Sequence, residues 1–83
     1  MKYCLITFRS VTPAQRAQKL LRQAGIDTIL QRTPRWMEER GCGYCLRLHS
    51  GEVVAAVTIL RDQQVAFSKV YTTVDGKTEE WVR

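Results

Sequence analysis

Residues 2–25 read KYCLITFRSVTPAQRAQKLLRQAG, a short apolar run followed by a segment with helical periodicity. The run at 2–8 is rich in β-forming side chains and predicts a buried central strand. Thr12 is a favourable N-cap residue and Pro13 suits the first helical position, so we expect a helix to begin at Pro13. Gly25 is typical of the residue that ends a helix.

The predicted helix has one apolar stripe opposite a polar face. Its members recur at intervals of three and four residues and are Ala14, Ala17, Leu20, Leu21 and Ala24. This pattern predicts that the helix packs one side against a sheet.

Three more strands and a second helix are expected further along the chain. The predicted strands are residues 26–32, 43–48 and 65–71. Ser50 is expected to cap the second helix, which ends near Arg61. Asp75 and Gly76 predict a hairpin-type turn before a short final strand that extends to Trp81. The order βαββαβ predicts a ferredoxin-like α+β sandwich, an antiparallel sheet with both helices on one face and the other face open.

Alternation in the third strand separates its two faces. Tyr44, Leu46 and Leu48 are predicted to share one face, with Cys45 and Arg47 on the other.

Composition fits a globular protein, since 45% of the 83 residues are hydrophobic and 25% are charged. We expect one domain over residues 1–83, with a core at 1–71 and a C-terminal extension at 72–83. No apolar run is long enough to span a bilayer, so we expect a cytoplasmic protein without membrane association. The net charge of +5 makes an anionic partner plausible.

The three cysteines are expected to be free thiols, because their number is odd and the chain has no secretory signature. Cys42 is the candidate for chemistry, because the glycines on either side leave its thiol accessible. Arg35 and Arg47 are close in sequence and would favour a thiolate. The alternative is that Cys42 is a small, half-buried residue without a chemical role.

Two other cysteine hypotheses are weaker. Cys42 and Cys45 form a C-x-x-C pair, but in an extended strand they would lie ~10 Å apart, too far for a disulfide. A zinc site would need Cys4 and His49 as well, in a spacing that fits no standard site. His49 is more simply a capping or surface residue, and no cofactor is expected.

An RNA-binding module is an alternative function, since RNA-recognition motifs share this element order. Residues 40–47 match part of their third-strand signature, with Tyr44 and Arg47 as the binding residues on the open sheet face. Cys42 stands where such modules have a base-stacking aromatic, which weakens the hypothesis. A non-catalytic interaction or regulatory domain is the third alternative.

Over roughly residues 3–71 the chain resembles the putative selenium/sulfur carrier protein-like family. The segments that carry the resemblance are Thr7-Phe8-Arg9-Ser10, residues 17–26, Thr33-Pro34-Arg35, Cys42-Gly43 and Leu46-Arg47. The resemblance implies a non-enzymatic carrier that holds sulfur or selenium on Cys42 as a persulfide or perselenide and passes it to an acceptor.

The resemblance also implies roles for other residues and a kind of partner. Arg35 would stabilise the thiolate. Cys45 departs from the family pattern, and this departure would make it a resolving thiol if its segment were bent and not extended. The implied binding residues are Arg9, Ser10, Thr33, Pro34, Gly43 and Arg47. A cysteine desulfurase or a selenocysteine lyase would be the donor, and the uncovered sheet edge allows a homodimer.

Overall fold

The computed structural model describes residues 2–33, 43–74 and 77–81. The strands are β1 (Lys2–Phe8), β2 (Thr28–Arg32), β3 (Tyr44–His49), β4 (Val70–Val74) and β5 (Lys77–Glu80). The helices are α1 (Val11–Gln23) and α2 (Val53–Asp62), and a 3-10 turn at Ser50–Glu52 precedes α2. The first six elements follow the predicted βαββαβ order, and β5 confirms the predicted final strand.

The five strands form one antiparallel sheet in the order β2-β3-β1-β4-β5. The most apolar strand, β1, lies in the centre, where it pairs with β3 on one side and β4 on the other. This arrangement confirms the predicted ferredoxin-like α+β fold, with β5 added beside β4.

The main core lies between the sheet and the two helices. From the sheet it takes alternate residues of β1 and β3, which are Cys4, Ile6, Phe8, Leu46 and Leu48. From the helices it takes Ala14, Ala17, Leu21, Ala56, Val57 and Leu60. Both helices therefore bury apolar side chains against the same face of the sheet. For α1 this confirms the predicted stripe except at Ala24, which is exposed.

The opposite face of the sheet carries a second, smaller apolar cluster. Leu5 and Cys45 are buried there, and the half-buried rings of Tyr3 and Tyr71 pack against them. We call this side the open face. By strand alternation its other residues include Thr7, Ile29, Gln31, Arg47 and Thr73.

The expected start of the first helix was wrong by two residues. Helix α1 begins at Val11 with Ser10 as its N-cap, and no side chain caps it. The C-terminal expectation is confirmed, because Gly25 has a φ of +82° and donates its N–H to the carbonyl of Arg22.

Three strands have boundaries that differ from the sequence prediction. Strand β2 begins at Thr28 and not at residue 26, and β3 is shifted by one residue. The largest error concerns 65–71, because β4 begins only at Val70. Val65 donates its N–H to the carbonyl of Leu60, so this part of the segment closes helix α2 and does not enter the sheet.

The predicted cap of the second helix was also wrong. Ser50 lies within the 3-10 turn, and the Nδ1 atom of His49 accepts a hydrogen bond of 3.1 Å from the N–H of Gly51. This contact confirms the capping expectation for His49. The predicted turn at Asp75-Gly76 lies outside the described residues.

Candidate functional site

The residues that flank the cysteine candidate meet at one end of the sheet. Cys42, Arg35 and Pro34 lie outside the described residues. The backbone N–H of Thr33 donates to the carbonyl of Gly43 over 3.1 Å, so the residue that follows β2 is bonded to the residue that precedes β3.

Strand register brings a third chain segment to the same end. Tyr44 is opposite Arg32 on one side and Phe8 on the other. Strands β1 and β2 therefore end, and β3 begins, in one row of residues across the sheet. Arg32 belongs to that row, and Arg9, Ser10, Thr33 and Gly43 come directly before or after it in sequence; we call these five residues the sheet-end cluster. Four of them, all except Arg32, were predicted as binding residues from the resemblance.

Arg32 is a neighbour of Gly43 and was not among the predicted site residues. Its guanidinium carbon lies 5.3 Å from the centroid of the Tyr44 ring, in cation–π range. Its Nη1 atom lies 3.9 Å from the point that a Cβ on Gly43 would occupy. To predict the position of Arg32, one would need to know that the end of β2 pairs with the start of β3. This pairing depends on strand register as well as on sequence.

The cluster has a positive electrostatic character. Arg9 and Arg32 are both exposed cations. Ser10 is the N-cap of α1, and the first turn of that helix contains no acidic residue that would offset the positive end of the helix dipole. An anion at this end of the sheet would be stabilised by both arginines and by the helix.

The first described thiol, Cys4, belongs to the main core. It is fully buried, and its Sγ lies 4.0 Å from the carbonyl oxygen of Ser50. Burial disfavours the charged form and raises the pKa of Cys4 to about 11. Its thiolate fraction at neutral pH is therefore negligible.

The second described thiol, Cys45, lies on the open face. It is also fully buried, and burial raises the pKa of its thiol, while hydrogen bonding from Thr33 and Gln31 opposes the rise. The contact with Thr33 is weak, because Thr33 Oγ1 is buried without a partner in full hydrogen-bonding geometry. Desolvation therefore dominates, and Cys45 is a poor nucleophile in this state.

A comparison with protein-family models matches residues 3–72 to the family described as "Putative Se/S carrier protein-like". The match spans most of the 83 residues. The chain belongs to this family. Every residue of the sheet-end cluster and all three cysteines fall within the matched range. No curated protein and no solved structure matched the chain.

In this member of the Se/S carrier family, Cys4 and Cys45 cannot bind the same zinc ion. Cys4 and Cys45 lie on opposite faces of the sheet, so one ion cannot bind both. Residues 2–33, 43–74 and 77–81 contain no group of three or more His, Cys, Asp or Glu side chains placed to hold a metal ion.

One of the two residues predicted to bind RNA is not on the open face. Tyr44 is half-buried and packs against the main core on the helix side, so it cannot stack bases on the open face. Arg47 does lie on the open face, with its guanidinium carbon 4.3 Å from the centroid of the Tyr3 ring.

Arg47 also stands apart from the other predicted binding residues. It is four residues from Gly43 along an extended strand, which corresponds to ~13 Å.

Neither helix of the described chain has the length and apolar character that crossing a bilayer requires.

Proposed function

We propose that this chain carries sulfur or selenium on Cys42 as a persulfide or perselenide and passes it to an acceptor. Membership of the Se/S carrier family supports the general class of function. The choice of thiol is argued from the properties of the other two cysteines.

The observation that carries the proposal is the burial of Cys4 and Cys45. Both are fully buried, and burial raises both thiol pKa values. A carrier must attack its donor as a thiolate that a partner can reach. Cys42 is the remaining cysteine of the chain.

The sheet-end cluster supports the same choice. Cys42 precedes Gly43 in the sequence, and Gly43 is bonded to Thr33 and adjoins Arg32. Positive charge favours a thiolate and the anionic persulfide that would replace it. Arg32 joins Arg35 as a candidate for this role, and Arg9 adds to the same field.

The proposed loading step is a thiol exchange. The Cys42 thiolate attacks the outer sulfur of a donor persulfide, R–S–SH, and the donor leaves as R–S⁻. The product is Cys42–S–SH, so no net oxidation or reduction occurs. A cysteine desulfurase would supply this donor, and a selenocysteine lyase would supply the selenium equivalent. Delivery to the acceptor reverses the exchange, so the protein is a carrier and not an enzyme with its own turnover.

Surface residues of the cluster would guide the donor. Arg9 and Ser10 are exposed and follow Phe8, which is opposite Tyr44, so a second cysteine-bearing segment could approach at this end of the sheet. Pro34 would restrict the backbone after Thr33. Arg47 is on the open face and would contact the partner at a distance from the reacting sulfur.

Intact-mass analysis tests the carrier function. The wild-type protein is incubated with a cysteine desulfurase and cysteine, and separately with a selenocysteine lyase and selenocysteine. We expect a gain of one sulfur or selenium atom that a thiol reductant removes. Cys42→Ser should abolish the gain.

The matched control is Cys4→Ser and Cys45→Ala, each with Cys42 retained, and both should load like the wild type. Circular dichroism checks that the three variants are folded. Equal loading of Cys42→Ser, or no loading of the folded wild type by either donor, contradicts the proposal.

A further inference from the structure

Strand β5 (Lys77–Glu80) forms one edge of the sheet, and no other described strand lies beyond it. The N–H of Trp81 donates to the carbonyl of Val70, which makes these two residues a hydrogen-bonded pair of the antiparallel ladder. Such pairs alternate along a ladder, so Thr78 and Glu80 direct their backbone N–H and C=O groups away from the sheet. The edge of β5 therefore offers backbone donors and acceptors to another strand.

The opposite edge of the sheet, β2, is less open. By the same alternation, the hydrogen bond from Thr33 to Gly43 implies that the backbone groups of Thr28 point outward. The carbonyl of Thr28 accepts a hydrogen bond from Nε2 of Gln18 over 3.4 Å, so α1 closes this edge at one of its outward groups. Of the two edges, β5 is thus the better candidate for pairing with a strand.

Strand β5 carries opposite charges on one of its faces. Lys77 and Glu79 are opposite Val74 and Thr72 of β4, and alternation from the buried Val70 places them on the helix side of the sheet. Both side chains are exposed, and neither forms an ion pair within the described residues. With Val74 and Thr72 they line an open groove of about 300 Å³, so the helices leave this part of the sheet uncovered.

We infer that β5 pairs antiparallel with β5 of a second copy of this chain, about a two-fold axis between the two copies of Thr78. A two-fold antiparallel pairing keeps the helix sides of both sheets together, and directly opposite residues then share a face. With Thr78 opposite its own copy, Lys77 is opposite Glu79 of the partner subunit. The same symmetry sets Glu79 opposite the partner's Lys77, so each lysine meets a carboxylate.

Charge selects this register over its neighbours. Moving the axis by one residue sets either Lys77 or Glu79 opposite its own copy, and directly opposed like charges are destabilising. In the register centred on Thr78, its outward N–H and C=O groups exchange both hydrogen bonds with their copy. Lys77 and Glu79 then fall in the non-hydrogen-bonded positions, where side chains are closer. The remaining charge of β5, on Glu80, is already paired with Lys69 over 3.4 Å.

The alternation of charge matters because lysine at a sheet edge usually prevents strand pairing. A run of one charge along β5 would repel a second copy. Opposite charges two residues apart on one face instead make the strand complementary to itself. The contact uses none of the residues of the sheet-end cluster, so it does not depend on the carrier function.

Analytical ultracentrifugation of the full chain tests this interface, at low salt and up to about 1 mM protein, because small interfaces associate weakly. The wild type should form a concentration-dependent dimer. Lys77→Glu and Glu79→Lys each oppose like charges, and each should raise the dimer dissociation constant by about tenfold or more. Circular dichroism checks that every variant is folded.

Mixing the two variants gives the sharpest test. One variant has only acidic and the other only basic side chains at positions 77 and 79, so an equimolar mixture should recover association. The double variant Lys77→Glu/Glu79→Lys exchanges the two charges and should dimerise like the wild type. Lys19→Glu is the control for net charge, because Lys19 is exposed on α1, and its dissociation constant should be unchanged.

Thr78→Pro tests the backbone part of the contact. Its N–H points away from β4, so proline is compatible with the pairing to β4 but removes a hydrogen bond to the second copy. This variant should lose the dimer. Thr78→Val loses the same hydroxyl contact with Thr73 but keeps the N–H, and should retain it. Cys42→Ser should dimerise like the wild type, which separates this contact from the carrier chemistry.

Three results would overturn the inference. One is a folded wild type that remains monomeric at about 1 mM, where even small interfaces associate measurably. Another is a dimer that persists in Lys77→Glu and Glu79→Lys, or is weakened equally in Lys19→Glu, which assigns it to another surface or to net charge. The third is a mixture of the two folded variants that stays monomeric although the wild type dimerises.

Discussion

The guanidinium of Arg32 lies over the ring of Tyr44, with 5.3 Å between the guanidinium carbon and the ring centroid. The two residues are opposite each other in the β2–β3 register, so the contact joins the last residue of one strand to the first of the next. Because Arg32 Nη1 also adjoins Gly43, the contact holds a cation beside the residue that follows Cys42 in sequence.

Replacing Arg32 should therefore slow the chemistry of Cys42. We expect Arg32→Gln to lower the rate of alkylation at Cys42 by about two- to fivefold near neutral pH, because a cation that favours the thiolate is lost. The rate is measured with iodoacetamide by peptide mass spectrometry. Arg32→Lys should retain part of the rate, since the charge is kept.

Arg22→Gln is the control for net charge. Arg22 lies in the last turn of α1, at the end of the helix remote from Ser10, and its loss should leave the alkylation rate unchanged. A similar decrease in both variants would assign the effect to net charge and not to the position of Arg32.

The periodic parts of the fold were predictable from sequence, and a segment governed by tertiary contacts was not. Strand β1 was correct to the residue, because a central strand that is buried from Cys4 to Phe8 gives a strong apolar signal. The segment at 65–71 gave a similar signal for another reason. The N–H of Val65 closes the end of α2, and its side chain is buried there. An apolar residue at this position is therefore explained by packing at the helix end and not by strand pairing.

The candidate site was predictable in part. The family resemblance pointed to Thr33 and Gly43, and the structure bonds them to each other. Arg32 was missed because its position depends on which residue of β3 it pairs with, and that register is set in three dimensions. The alternation in β3 already places Tyr44 on the helix side, which is incompatible with its proposed role on the open face.

Stability should fall at alkaline pH through Cys4. Burial raises its pKa from 9.0 to about 11. Above the first value the unfolded chain loses the thiol proton while the folded chain keeps it, so stability is full below pH 9 and decreases between 9 and 11. The loss amounts to about 2 kcal/mol over this range.

The check on Cys4 is urea denaturation from pH 7 to 11, with Cys4→Ala as the comparison. Lysine and tyrosine groups titrate in both proteins, so the difference between the two curves isolates the thiol. Parallel curves would show that Cys4 ionises as readily in the folded chain as in the unfolded one.

Burial should decide the cost of truncating apolar side chains. Leu21 is fully buried between α1 and the sheet, and Leu21→Ala should cost about 2–5 kcal/mol in the free energy of unfolding. Ile29 is 58% exposed at the edge strand, and Ile29→Ala should cost less than about 1 kcal/mol. Chemical denaturation of both variants measures the contrast, and equal losses would contradict the assignment of the core.

Gly25 should be needed for its backbone conformation alone. A Cβ at this position would meet nothing within 4 Å, but the φ of +82° is unfavourable for a residue with a side chain. Gly25→Ala should therefore destabilise the protein by about 1 kcal/mol or more, and Gly25→Asn by less. Thermal denaturation measures both, and an unchanged Gly25→Ala would show that α1 does not need this termination.

Cys45 is the most direct test of whether a second thiol takes part in the carrier cycle. A resolving thiol must become a thiolate near its partner, whereas burial raises the pKa of Cys45 and leaves it without exposed surface. We expect Cys45→Ala to load and release sulfur at the wild-type rate, and air oxidation of the wild type to yield no Cys42–Cys45 disulfide. Time-resolved intact-mass spectrometry follows loading and release, and non-reducing peptide mapping detects the disulfide. A slower release in Cys45→Ala, together with that disulfide in the wild type, would mean that β3 opens during the cycle, since the thiol cannot react from its buried position on the open face.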